Sequence, residues 1–250
     1  MIGRAGFNPL HPEASSSVER LKRFHEIVAR NSSRYFQTLT INDGAACYRD
    51  LSLRNRSVTH DFLMRAWTLF NEINADESVH GLPGVRLVLA AGFRIKGRKA
   101  GIDEQSKQFR SVIKRFQDKQ ISAEQAIREA TAIRRPFDII PQLQANFAFT
   151  KAYLAETGGK KSGFEGPKFF ADTVLFEPKI PQWIAVDKII NWTNLTPPMT
   201  GSFAQVSKLL PYKHPEGGPL NIRDGLQIAQ NLTHDSNVLQ LLRATRQKTG

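Results

Sequence analysis

The stretch VRLVLAAGF, residues 85–93, decides the fold class. It is a nearly continuous apolar run, which is typical of a strand buried on both faces. A second strand-like run, FFADTVLFE at residues 169–177, is followed closely by Pro178 and Pro181. Helical patterns lie before, between and after these two runs. Because strands alternate with helices, the sequence predicts an α/β or α+β fold.

Apolar residues at helical spacing predict most of the remaining structure. Residues 35–43 are predicted as a further strand, whereas residues 191–219 carry many Pro, Gly and Thr and are predicted to be loop-rich. The chain is therefore expected to form one domain over residues 1–190 and a loop-rich, helical C-terminal extension over residues 191–250. The predicted helices are residues 16–30, 58–77, 109–119, 122–135, 142–156, 222–232 and 236–247.

Composition favours an intracellular protein with anionic partners. The 250 residues include 35 Lys and Arg against 23 Asp and Glu, a net charge of +12, which suits nucleotides or nucleic acid. No apolar run reaches the ~18–20 residues of a membrane span, and no signal-peptide pattern is present. The lone Cys47 excludes an internal disulfide, so a cytoplasmic location without membrane contact is expected.

The segment TLTINDGAACYRDL, residues 38–51, contains the strongest candidate carboxylate. Asp43 follows an apolar run and precedes small residues, which would let a phosphate or metal approach the backbone. A carboxylate here could bind Mg²⁺ or Mn²⁺. The alternative is an Asn-Asp-Gly hairpin turn, which the residue types alone favour.

Basic residues cluster after the apolar strand that Arg86 opens. Guanidinium and ammonium groups suit a triphosphate or a nucleic-acid backbone, although a solvated loop would have the same composition. The cluster comprises Arg94, Lys96, Arg98 and Lys99. A second basic loop contains Lys160, Lys161 and Lys168.

Three segments, with a strand that would follow the last of them, resemble the class III nucleotide cyclases, in particular the short bacterial forms of antiphage signalling (the Pycsar-type pyrimidine cyclases). In the resemblance, LTINDGAACY matches a metal-binding strand, and FAFTKAYLAE matches a helix of the catalytic domain. The segment from Phe62 to Gly92 matches a helix and loop that lead to a strand, and FFADTVLFE matches the strand after the second helix.

This resemblance implies a ferredoxin-like, cyclase-type α/β (α+β) sheet with helices packed on one face. It also implies that a nucleoside triphosphate is converted to a cyclic mononucleotide and pyrophosphate by two Mg²⁺ or Mn²⁺ ions in a homodimer. Asp43 would be a metal ligand and Arg86 a catalytic residue. The nucleotide-binding candidates are Arg94, Lys96, Arg98 and Lys151.

The chain also departs from the cyclase pattern. In the cyclase pattern the first metal ligand lies on a strand before the first helix, but no carboxylate precedes Glu13 in this chain. Thr150 and Leu154 stand where the family has its catalytic Asn and Arg. The alternative function is an inactive subunit that binds nucleic acid through its basic surface. A third hypothesis, a metal-dependent nuclease, would use scattered carboxylates: Asp43, Asp50, Asp103, Glu104 and Asp172.

Overall fold

A computed structural model describes residues 12–95, 104–133, 140, 142–177, 179–210 and 221–247. The helices of this part are α1 (Pro12–Asn31), α2 (Arg56–Val79), α3 (Glu104–Gln117), α4 (Ala123–Ala132), α5 (Phe147–Gly158), α6 (Gly225–Leu232) and α7 (Ser236–Gln247). The strands are β1 (Gln37–Ile41), β2 (Gly44–Tyr48), β3 (Leu87–Leu89), β4 (Phe169–Asp172), β5 (Ile184–Leu195) and β6 (Pro198–Leu209). The predicted α+β class is confirmed.

The chain forms two compact units. The first lies within residues 1–92 and 148–250, and the second within residues 93–147. In the second unit, α3 and α4 pack around a small apolar cluster that includes Val112 and Ile121. The Ser122 side chain accepts a hydrogen bond from Gln125 N and caps α4.

A four-stranded sheet forms the centre of the first unit, in the order β3-β4-β6-β5. Strand β3 is parallel to β4, whereas β6 is antiparallel to both β4 and β5. All four residues of β4 are buried, as expected for a strand that lies between two others and is covered on both faces. The first three residues of β4 are apolar, and the buried Asp172 that ends the strand is paired with Lys151.

Side chains of β4 alternate between two apolar layers. Phe169 and Ala171 join the core that α1 and α2 cover, where Trp67 and Phe70 of α2 pack edge-on against Phe169. Phe170 belongs to the opposite layer, which α5 covers. Helices therefore pack on both faces of this sheet, which differs from the expected packing on one face.

The Asn42-Asp43 pair forms the two-residue turn of a separate hairpin. Strands β1 and β2 pair antiparallel up to Ile41 and Gly44, and they form a sheet of their own. Asn42 has φ 53°, a left-handed conformation that Asn tolerates better than most residues. The strand predicted over residues 35–43 therefore ends at Ile41, and Asp43 lies in the turn that leads to β2.

The loop-rich prediction was wrong for residues 191–209. Strands β5 and β6 form a long hairpin in which Leu195 pairs with Pro198. Two of the prolines that suggested a loop lie at positions 197 and 198, in the turn and at the first residue of β6. Proline is compatible with both positions because neither requires a ladder hydrogen bond from its nitrogen. The proposed boundary at residue 190 falls inside β5.

We expect Asn42→Val to lower the free energy of unfolding by about 1–2 kcal/mol, because a β-branched residue is disfavoured at positive φ. Asn42→Gly should leave stability nearly unchanged, since glycine adopts this conformation freely. Urea denaturation followed by circular dichroism measures both. Equal losses in the two variants would contradict the assigned turn conformation.

A candidate ligand-binding cleft

An open cleft of about 780 Å³ lies in the first unit. This volume is within the range of small-molecule sites, about 300–1,000 Å³. Its walls come from α5, from the end of β4 and the turn after it, from β5 and β6, and from the segment before α6 and the C-terminal end of that helix. The polar and charged residues that line it are Lys151, Asp172, Thr173, Lys179, Ser202, Arg223 and Asn231.

A buried ion pair forms one wall of the cleft. Lys151 Nζ donates a hydrogen bond to Asp172 Oδ2 over 2.6 Å. The side chains are 7% and 2% exposed, so each charge depends on the other for compensation. The ring of Phe203 lies 5.3 Å from Lys151 Nζ, which adds a cation–π contact.

Asp172 also orders the backbone around the cleft. Its Oδ2 accepts a hydrogen bond from Ala91 N over 3.4 Å, and its Oδ1 accepts one from Val174 N over 3.2 Å. The second bond caps the short 3₁₀ turn Thr173–Leu175 and ends β4. One carboxylate thus joins the segment after β3, the end of β4 and helix α5.

Gly201 of β6 leaves the space that Lys151 occupies. A Cβ atom built at residue 201 would lie 2.5 Å from Lys151 Cε and 2.7 Å from its Nζ. Any larger residue would push the ammonium group away from its position. The absence of a side chain at residue 201 is thus part of the site.

Arg223 and Lys179 add positive charge to the cleft. Arg223 Nη1 donates to Val174 O over 3.1 Å, and its backbone N donates to Leu175 O over 2.8 Å. These bonds fix the guanidinium group beside the 3₁₀ turn. Arg223 Nε is buried and makes no hydrogen bond within the described part of the chain. Lys179 is exposed.

Among the cyclase-type site residues that the structure describes, Lys151 alone lines this cleft, where it pairs with Asp172, a carboxylate of the nuclease hypothesis. Arg86 donates from Nη1 to Glu156 O over 2.8 Å, which joins the start of β3 to the C-terminal turn of α5. Asp43 is exposed in its turn, and Arg94 forms an isolated bridge with Asn146 in the second unit. Lys96 and Arg98 lie outside the described residues.

The described residues contain no group of three or more His, Cys, Asp or Glu side chains that could bind a metal ion. Asp172 is the one carboxylate among the cleft's lining residues, and Lys151 neutralises it. The expected metal site at Asp43 stays a prediction.

Cys47 has no feature of a nucleophile. It packs against the main core, and burial raises the pKa of its thiol to about 12. Such a thiol stays protonated at neutral pH and is unreactive.

The sequence did not indicate that Lys179, Gly201 and Arg223 share a site, because they are far apart in the chain and belong to no motif. A signal did exist for the ion pair. Lys151 is the single charge in FAFTKAYLA, and Asp172 is the single charge in FFADTVLF. A lone charge inside an apolar segment requires a partner when it is buried.

No family model, curated protein or solved structure matches this chain. The resemblance to the cyclases, with the metal, the triphosphate and the homodimer it implies, therefore stays a prediction. None of the helices in the described part of the chain has the length and apolar character of a membrane span.

Removing either charge of the ion pair should destabilise the protein strongly. We expect Lys151→Met and Asp172→Asn each to cost about 3–5 kcal/mol, since each disrupts a buried pair. The double variant should cost less than their sum by about 0.5–3 kcal/mol, because the two changes share one interaction. Urea denaturation measures all three, with the exposed Lys208→Met as the control, and strict additivity would contradict the coupling.

Proposed function

We propose that this protein binds a phosphate-bearing small molecule in the cleft. The observation that carries the proposal is that Arg223, whose guanidinium group is held by the Val174 carbonyl, lines the cleft together with the exposed Lys179. A guanidinium group offers several N–H donors in a plane and suits phosphate oxygens. Lys179 supplies a second positive charge on the same cleft.

Neutral polar groups and apolar side chains complete the proposed site. The hydroxyl groups of Thr173 and Ser202 can donate to phosphate or to a sugar, whereas Phe176, Ile180 and Leu232 provide an apolar wall. Cofactor and metabolite sites typically combine such a wall with a few polar groups that fix orientation. The lining therefore favours a phosphate joined to an organic group.

Ligand binding should raise the melting temperature of the protein. At a ligand concentration of about 100 times Kd, stabilisation is about 2.7 kcal/mol, or about 5–10 °C for a domain of this size. The probes are inorganic phosphate, AMP and ATP, each added to the full chain during thermal unfolding.

Two cleft variants and one control make this test specific. Arg223→Gln and Lys179→Gln should reduce the shift, whereas Lys208→Gln, an exposed β6 lysine outside the cleft, should keep it. Lys179 is exposed, so its variant tests binding even if Arg223→Gln is unstable. The proposal fails if none of the three probes raises the melting temperature, or if both cleft variants respond like the wild type.

Nucleotide cyclisation is the second candidate function. Its support in the structure is Asp43, which the β1–β2 turn presents to solvent, where a metal-bound triphosphate has access. The ribose 3′-hydroxyl would lose its proton to solvent, and its oxygen would attack the α-phosphorus. The bond from the α-phosphorus to the bridging oxygen would break, and pyrophosphate would leave.

Incubation with ATP, GTP, CTP or UTP and Mn²⁺ should then give a cyclic mononucleotide and pyrophosphate, resolved by mass spectrometry. Asp43→Asn should abolish the product, because an amide is a weaker metal ligand than a carboxylate, whereas Asp50→Asn serves as the control. Absence of a cyclic product from all four triphosphates would exclude cyclase activity under these conditions, and an active Asp43→Asn variant would exclude the role of Asp43.

A further inference from the structure

We infer that the ligand of the cleft is a phosphate monoester rather than a nucleoside triphosphate bound with its metal. The inference rests on the proposed function, because it takes this cleft as the binding site. It concerns the charge and the chemical class of the ligand, which follow from how the lining side chains are already paired.

The charge of the cleft matches a dianion. Lys151 and Asp172 neutralise each other across 2.6 Å. Lys179 and Arg223 then contribute two positive charges among the lining residues. A phosphate monoester carries a charge of about −1.5 to −2 at neutral pH, since its second pKa is about 6. A free triphosphate carries at least one further negative charge, which no lining side chain would balance.

The C-terminal end of helix α6 makes the electrostatic potential of the cleft less positive. Asn231 and Leu232 line the cleft and belong to the last turn of α6. Carbonyl groups at a helix C-terminus carry a partial negative charge, up to about half an elementary charge for the whole terminus. The cleft therefore suits a dianion better than the more highly charged free triphosphate.

A metal ion could neutralise a triphosphate, but the described residues that line the cleft include no free ligand for it. Magnesium in nucleotide sites is usually held by one or two carboxylates together with the substrate phosphates. The one lining carboxylate, Asp172, accepts hydrogen bonds at both oxygens, and the Lys151 ammonium group lies beside its Oδ2. That positive charge would repel a divalent cation at the same oxygen.

The organic part of the ligand is expected to contact the apolar wall. Phe176, Ile180, Ile189 and Leu232 line the cleft together with the charged groups. A base or other flat apolar group would bury its surface there, whereas inorganic phosphate would leave it exposed to water. Affinity should therefore increase from inorganic phosphate to ribose 5-phosphate to AMP.

Isothermal titration calorimetry of the full chain at pH 7.5 tests the inference with AMP, ATP, ATP with Mg²⁺, ribose 5-phosphate and adenosine. We expect AMP to bind at least tenfold more tightly than ATP, with or without Mg²⁺, and also more tightly than adenosine. Binding of AMP should weaken at pH 5.5, because protonation reduces the phosphate to a monoanion. Lys179→Gln and Arg223→Gln should each weaken AMP binding, and Lys208→Gln should not.

The outcomes separate this inference from the proposed function. If ATP with Mg²⁺ binds more tightly than AMP and Lys179→Gln weakens it, the monoester inference is overturned and the phosphate-binding function stands. If adenosine binds as well as AMP, or if no phosphate compound binds, both are overturned. Tighter binding of AMP that depends on Lys179 and on the dianion supports both.

Discussion

The buried ion pair of Lys151 and Asp172 is the interaction on which the cleft depends. Helix α5 reaches the sheet with a lysine in an otherwise apolar segment, and β4 ends with the aspartate that meets it. The same carboxylate binds the backbone N–H groups of Ala91 and Val174. Loss of the Asp172 carboxylate would therefore free the segment after β3 and the turn that holds Arg223. It would also leave the Lys151 charge on α5 without its partner. A change at one side chain would alter the whole wall of the cleft.

The net charge of +12 says less about the protein than the positions of the individual positive charges do. Many arginines lie against carboxylates, and these pairs stabilise contacts within the chain: Arg20–Glu77, Arg23–Asp76, Arg49–Asp61 and Arg115–Glu129. Burial acts to raise the pKa of Asp61, but hydrogen bonds from Arg65 and Arg49 outweigh it and hold that pKa below its ordinary value. Arg86 likewise binds Glu156. In the cleft, by contrast, Lys179 and Arg223 accompany a pair that is already neutral.

The fold class and most helices could be predicted from the sequence because they depend on local periodicity. Helix α7 occupies the predicted residues 236–247, and the cap at Ser122 forms as its residue type suggests. The β5–β6 hairpin could not be predicted in the same way, since its prolines, glycine and threonines read locally as a loop and its pairing is a long-range property. Asp43 shows the converse: residue types alone favoured the turn, and the cyclase resemblance favoured a strand. The cleft is harder still, because it combines residues from distant parts of the chain.

Stability alone does not account for the charges in the cleft wall. An apolar pair of similar volume would serve the packing between α5 and β4 at least as well, because desolvation offsets much of the attraction between buried charges. The surrounding layer, with Phe164, Phe170 and Phe203, is already apolar. What the ion pair adds is a fixed ammonium group beside the cleft and a carboxylate that holds two backbone N–H groups in place. Such order is useful where a small anion must be met by groups that do not rearrange on binding, and Arg223 and Lys179 line the cleft in this setting.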